Sequence, residues 1–343
     1  MKIAIHHKKG SFSERWIDYC EQKNINYKLV NAYQSDIINQ LEGCDGFMWH
    51  HSHSYFKDVV AAKKILFALE QAGIPVFPDF NTGWHFDDKV AQKYLLEAIN
   101  APYIRSYVFY DKQDALNWVK KNSFPKVFKL KGGAGASNVK LVYSQEEAVK
   151  LIHTAFNKGF KQFDSIRYVK DSFSSYKSKQ KSLLGFIKST GRLIVQPAYS
   201  KQQSPEKGYV YFQDFIPNNS FDVRVIVTGN RAYATKRYVR KNDFRASGSG
   251  FKDHSKEAIN IECIKTAFNV KEKLHVQTIS YDFVFDANNK PLIVEISYGF
   301  PTSWADSCPG YWDSELNWHE GSFIPQYWMI EDLIANINHN KSM

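Results

Sequence analysis

No stretch of the chain approaches the ~18 consecutive apolar residues that a membrane-spanning helix needs. The apolar opening Met1-Lys2-Ile3-Ala4-Ile5 is stopped by His6-His7-Lys8-Lys9-Gly10, so it reads as a first buried strand rather than a signal peptide. Cysteine is scarce. Cys20, Cys44, Cys263 and Cys308 are scattered without metal-ligand spacing, which predicts reduced thiols in a cytoplasmic protein. No internal repeat, catalytic triad or recognised nucleic-acid motif occurs, and nucleic acid is disfavoured as a partner. What is present is a globular composition: 343 residues, 43% hydrophobic, enough for a sizeable core in about two or three domains.

The net charge of +10 is unevenly placed. Between Lys158 and Lys207 there are eleven Lys or Arg and three acids, an excess of eight positive charges. The plain reading is a solvated insertion; the sharper one is a patch for an anionic partner.

Strand and helix patterns alternate over the first ~80 residues, as in βαβ units with a parallel sheet. Residues 2–6, 26–30, 46–50 and 74–77 are strand-like; 13–22, 35–41 and 59–71 are helical, with Ser13 a candidate N-cap. Helical patterns follow at 87–100 and 114–121. From Phe124 onward hairpin-like strands and turns dominate.

In Val127-Phe128-Lys129-Leu130-Lys131, alternation puts Phe128 and Leu130 toward a core and both lysines on the opposite face. Gly132, Gly133 and Gly135 follow, and Val139-Lys140-Leu141-Val142 is a second strand. A P-loop would place Lys-Ser/Thr after its last glycine and then a helix. A dinucleotide fingerprint would need glycine where Asn138 stands. What remains is a strand–loop–strand whose bare amides could close over phosphates.

The segment 280–297 carries a second pattern. With Asn288-Asn289 as a two-residue turn, Tyr281 faces Ile296, Phe283 faces Val294 and Phe285 faces Leu292. On the other face Asp282 lies opposite Glu295, and Ser280 opposite Ser297. Directly opposed Cβ atoms are ~5 Å apart and like charges there repel, so a compensating hard divalent cation is expected.

Together these segments resemble the ATP-grasp superfamily, and within it carboxylate–amine ligases such as D-alanine–D-alanine ligase and glutathione synthetase. Beside the lysine strand with its loop and the acidic hairpin, Tyr211-Phe-Gln213-Asp214-Phe215-Ile216 is similar to the family's adenine hinge. Asp222-Val-Arg224 and Asp243-Phe-Arg245-Ala-Ser are similar to the segments after it. The fold implied is α/β. A Rossmann-like parallel domain (1–84) precedes two α+β ATP-grasp subdomains (85–215, with linker helices and the basic insertion near 158–207; and 216–343, with the metal site and an aromatic-rich tail).

By that resemblance Lys89, Lys129 and Lys131, with Gly133, Ala134, Gly135, Ala136 and Ser137, would bind ATP phosphates. Gln213, Asp214, Phe215 and Ile216 would hold adenine, and Asp222 is a candidate for ribose. Asp282, Glu295 and Ser297 would carry one or two magnesium ions, with manganese a substitute; Ser297 stands where the family has Asn. Arg224 and Arg245, with Lys129, would serve catalysis. The implied reaction is amide formation through an acylphosphate from small-molecule carboxylate and amine substrates, in a protein that in this family is often a homodimer. A small-molecule kinase, or a non-catalytic nucleotide-binding module with an anionic partner, remains open. His50, His51 and His53 are by default hydrogen-bonded loop histidines, with acceptor contact and, behind it, a metal site as the sharper readings. Most aromatics of 298–328 are core, while the faces of Trp304 and Trp318 would suit a sugar-linked acceptor.

Overall fold

The computed structural model describes residues 1–132, 138–161, 172–173, 204–239 and 251–342. Four strands, β1 (Lys2–His6), β2 (Asn26–Val30), β3 (Gly46–Met48) and β4 (Val76–Phe77), form a parallel sheet in the order β2-β1-β3-β4. Strands β1, β3 and β4 are buried on both faces, as their near-continuous apolar runs require, while the edge strand β2 is partly exposed. Ile3, Ile5 and Met48 pack with Phe12 and Trp16, and with Trp328 and Leu333 of the C-terminal helix Pro325–Ser342. On the other face Ala4, Phe47 and Trp49 meet Ala62 and Leu66 of the helix Phe56–Gln71. The helix Phe12–Gln22 begins one step earlier than Ser13 suggests. Ser11 is the extended residue before it, and its hydroxyl accepts from the Ser13 N–H.

An antiparallel sheet follows, ordered β5-β8-β6-β7, from β5 (Ser106–Phe109), β6 (Lys126–Lys129), β7 (Val139–Val142) and β8 (Val210–Asp214). Phe128, Leu130, Val142 and Phe212 pack against the helices Lys112–Lys121 and Gln145–Phe156. Each such side chain contributes roughly 1.5–3 kcal/mol of burial. The other face of this sheet is turned toward a third sheet.

That third sheet has the order β13-β12-β9-β10-β14-β15, with β11 on β10. Its strands are β9 (Phe221–Thr228), β10 (Arg231–Tyr238), β11 (Lys252–Asp253), β12 (Thr278–Phe285), β13 (Pro291–Ser297), β14 (Gly310–Asp313) and β15 (Trp318–Glu320). The helix Ile261–Leu274 covers one face, where Val223, Val225, Tyr281, Phe283 and Ile296 are buried.

The acidic hairpin has the expected register at its open end: Ser280 faces Ser297, Tyr281 faces Ile296 and Asp282 faces Glu295. Beyond Asp282 it departs by one residue. Phe283 faces Ile293 and Phe285 faces Pro291, with a bulge between. The turn explains the slip. Asp286 N–H bonds the Lys290 carbonyl at 3.0 Å, so three residues, not two, form the loop, and Asn289 takes a left-handed φ of 59°. An odd loop displaces the ladder by one, and the bulge absorbs it by leaving Val294 without an opposed residue. Among the described residues no helix is long and apolar enough to cross a membrane.

Candidate active site

The site forms where the second and third sheets face each other, and the Val294 bulge is its hinge point. The Val294 carbonyl accepts from Lys129 Nζ and from Gln213 Nε2, each at 3.4 Å. Lys129 sits on β6 as alternation predicts, with Phe128 and Leu130 on the core side, yet it is itself only 4% exposed. Its face meets the other sheet rather than water. Lys131, two residues past the strand, is exposed. Gln213 also donates to Ser106 Oγ at 3.1 Å, which fixes its amide.

Lys89 opens the helix Lys89–Ala98. Asp88 caps that helix by accepting from Ala91 N–H, and the Lys89 N–H bonds the Lys131 carbonyl at 3.0 Å. The Lys89 ammonium is buried and lies 3.2 Å from Glu295 Oε1. Burial disfavours its charge, but Glu295 and Asp87 outweigh that and raise its pKa. Lys129 has weaker compensation: burial, against the pull of Glu295 and aided by Lys89, lowers it to about 8.

The start of the glycine loop is held from below. Glu206 accepts from Lys131 N–H at 2.9 Å and from Gly132 N–H at 3.2 Å, and is hydrogen-bonded by the Tyr209 hydroxyl. A Cβ on Gly132 would meet Asp87 Oδ2 at 3.2 Å and Glu206 Oε1 at 3.3 Å, so a side chain there crowds two carboxylates. Gly133, Ala134, Gly135, Ala136 and Ser137 lie outside the described residues, as do Arg245 and most of the basic insertion 158–207.

On the third sheet, charged residues share one face in two transverse rows. Glu295, Asp282, Arg224 and Thr235 are successive partners across β13, β12, β9 and β10. Asp222, Arg237 and Lys252 are successive partners across β9, β10 and β11. Arg224 forks onto Asp282, with Nε at 2.6 Å and Nη2 at 2.8 Å. Arg237 forks onto Asp222, and its Nη2 lies 3.0 Å from Asp282 Oδ2. Burial pushes the Asp282 carboxyl up, but Arg224 and Arg237 overcome it and hold the group well below the usual carboxylate range.

Two expectations change here. The opposed acids are already compensated by arginine and lysine, so their pairing alone does not demand a metal. Asp222, expected at a ribose, is instead engaged by Arg237. Arg237 is the residue that sequence reading missed: beside Lys236 it passes for solvated charge, yet it is 4% exposed. The Gly229-Asn230 turn carries the missing information, because a hairpin closed there sets Asp222 directly opposite Arg237.

In the segment expected to hold adenine, Asp214 pairs with Lys126 at 2.6 Å, and its N–H bonds the Arg105 carbonyl. Phe215 and Ile216 are half-buried. The next loop is pinned by Asn219, which accepts from Phe285 N–H at 2.8 Å and donates to the Phe285 carbonyl at 3.0 Å. The Ser297 hydroxyl is committed to its own turn, 3.0 Å from the Gly299 carbonyl. His50 stacks on Phe12, accepts its N–H at 3.1 Å, and is lowered to about 3 by burial, so it is a structural, neutral loop histidine. Trp318 packs on Trp312, whereas the Arg224 guanidinium lies 5.0 Å from the centre of Trp304. Of that pair, Trp304 is the one beside the Arg224–Asp282 ion pair.

Two adjacent carboxylates, with four cations beside them in Lys89, Lys129, Arg224 and Arg237, fit magnesium as polyphosphates carry it. That ion commonly takes one or two carboxylates and completes its shell with phosphate oxygens and water. Among the described residues there is no cluster of three or more His, Cys, Asp or Glu to form an all-protein metal cage.

No protein-family model matches the chain. An α-aminoadipate–LysW ligase, LysX, from Saccharolobus solfataricus is 21% identical over 287 residues, 81% of this chain and 85% of that protein. A crystal structure of a RimK domain ATP-grasp protein from Sphaerobacter thermophilus covers 98% of this chain and 100% of its own, at 14% identity and a TM-score of 0.57. D-alanine–D-alanine ligase from Bacillus anthracis in complex with ATP covers 99% of both chains, at 12% identity and a TM-score of 0.53.

Proposed function

We propose that this chain, an ATP-grasp protein, is an ATP- and magnesium-dependent ligase that joins a carboxylate to an amine. The observation that carries the reading is one convergence. Asp282 and Glu295 face each other on β12 and β13, and the buried ammonium groups of Lys129 and Lys89 reach the same strand from outside that sheet.

In this reading Lys89 and Lys129 neutralise the triphosphate, joined by Lys131 and the loop 133–137. Gln213 and the backbone of Asp214, Phe215 and Ile216 hold adenine. Asp282 and Glu295, with Ser297 adjoining, would hold magnesium, which would supply charge neutralisation for the triphosphate. The substrate carboxylate attacks the γ-phosphorus, breaks its bond to the ADP oxygen and forms an acylphosphate. The amine then attacks the acyl carbon, phosphate leaves and the amine loses a proton. Arg224, already fixed beside Asp282, is placed to stabilise the oxyanion of that second step, a role shared with Arg245. The loop keeps water from the acylphosphate. Asp222 acts through Arg237, as a positioning residue. The name of the 21%-identical relative, a ligase of an amino acid to LysW, favours ligation over bare phosphoryl transfer.

The test is ADP release with carboxylates and amines supplied in pairs, with the coupled product identified by mass. Asp282→Asn and Glu295→Gln are expected to abolish both readouts. ADP without a coupled product would mark a small-molecule kinase instead. Variants that turn over like the parent chain would strip Asp282 and Glu295 of their roles, and a parent chain that releases no ADP with any pair would end the enzymatic reading.

A further inference from the structure

The row Asp222–Arg237–Lys252 has an imbalance that the nucleotide does not account for. Arg237 and Lys252 are directly opposed across β10 and β11. Like charges in that position repel. Arg237 has Asp222 and Asp282; Lys252 has no carboxylate within ion-pair distance among the described residues. Its sequence neighbour Asp253 accepts from the Ser255 N–H and hydroxyl at 2.9 and 2.7 Å instead.

What Lys252 does touch is Trp304. Its ammonium lies 3.9 Å from the ring centre, and the guanidinium carbons of Arg224 and Arg237 lie at 5.0 and 5.9 Å. Three cations therefore share one indole. The indole is held in place from behind: its N–H donates to Thr235 Oγ1 at 3.0 Å, and that hydroxyl bonds His254 Nδ1 at 2.9 Å. Thr235 is fully buried, so the platform is rigid.

The strand that carries Lys252 is set apart from the acids, although Arg237 reaches back to Asp282. The acids that would carry magnesium are on β12 and β13. Three strand spacings separate β12 from β11, about 14 Å at ~4.8 Å each. Lys252 thus stands at the β11 end of the row, with neither Asp282 nor Glu295 among its ion-pair partners.

We infer that Lys252 and Trp304, with Arg237, form a slot for an anionic group of the acceptor substrate, a carboxylate or a phosphate. This rests on the ligase reading for the word acceptor, but the anion slot can be measured without turnover. Lys252 is then a specificity-determining residue: neutral acceptors leave its ammonium beside Arg237 without an anion, and acidic ones supply it.

The experiment uses the full chain at constant ionic strength and follows tryptophan fluorescence. Glutarate and inorganic phosphate are the probes, chloride is the reference, and each titration is repeated with a non-hydrolysable ATP analogue and magnesium already bound. A saturable response to one or both probes is expected, undiminished by the nucleotide. The better-binding probe names the group. Loss of one charge-assisted contact should weaken that probe roughly 10- to 100-fold in Lys252→Met. Lys252→Arg, which keeps the charge, should retain most of the binding and guards against a folding artefact. No saturable response to either probe would overturn the slot. So would a Lys252→Met chain that titrates like the parent, or a response abolished by bound nucleotide. Calorimetry of the ATP analogue on the same samples separates the two ideas: if the analogue fails to bind while the anion response persists, the ligase reading falls and the slot stands.

Discussion

Asp282 and Arg224 are directly opposed on β12 and β9, and the guanidinium takes both carboxylate oxygens, at 2.6 and 2.8 Å. A planar fork on a planar acceptor fixes the carboxylate plane; Oδ1 keeps a further lone pair for a cation, while Oδ2 also meets Arg237 Nη2 at 3.0 Å. Asp282 is thereby oriented before any ligand arrives. Asp282→Asn keeps the shape but removes the charge that both arginines share. It is expected to eliminate ADP release and to destabilise the fold by roughly 2–4 kcal/mol, somewhat below the cost of breaking a fully buried pair. Denaturant unfolding reads the second effect, and an unchanged midpoint would contradict the assigned pairing.

Lys129 makes pH a probe of the proposed phosphate site. Burial holds its ammonium at about 8, against Glu295 and with Lys89. The charged form is the one a phosphate needs, so affinity for ATP should be level below pH 8 and decline as pH rises through it. The stability effect runs the other way. The unfolded chain holds this proton to about 10.4, so the charged lysine costs stability below pH 8, and that cost disappears between about 8 and 10.4. Nucleotide binding measured from pH 6.5 to 9.5 in the parent chain and in Lys129→Met checks this. A flat parent profile would refute it.

Arg237→Lys tests whether the missed residue matters. Lysine keeps the charge but cannot fork onto Asp222 while also reaching Asp282. The expected result is a loss of roughly 1–3 kcal/mol of stability, the scale of a charged hydrogen bond. Activity should fall by about one to two powers of ten, at 1.4 kcal/mol for each. A variant with parental stability and rate would return Arg237 to the class of ordinary surface charge.

Asn219→Ala isolates the loop after the adenine hinge. The side chain both accepts from and donates to the backbone of Phe285. Truncation leaves that N–H without its acceptor, a penalty of roughly 1–3 kcal/mol. Nucleotide affinity should drop along with the unfolding midpoint. If only affinity changed, Asn219 would be a ligand contact and not a brace.

The lysine strand and the acidic hairpin were readable because strand alternation is local and strict. Aromatics at 281, 283 and 285 seek the core, and that choice puts Asp282 on the opposite face at the hairpin's open end. The same logic fails past Asp282, where loop length, not pattern, sets the register. Asn288-Asn289 looks like a complete turn, but a three-residue loop was adopted, and the bulge at Val294 follows from it. That bulge supplies the carbonyl on which Lys129 and Gln213 converge, so a one-residue difference in a distant turn shapes the site.

What the amino-acid order determines by itself is therefore which side chains share a face within one strand or one hairpin, since that depends on the two-residue period and on burial of apolar rings. The parallel order β2-β1-β3-β4, the packing of the helix Pro325–Ser342 on that first sheet, the burial of Lys129 between sheets and the gathering of Arg224, Arg237 and Lys252 around Trp304 are decided only by tertiary structure. Those contacts join residues far apart along the chain. Their geometry depends on how whole layers stack, and no local periodicity encodes it.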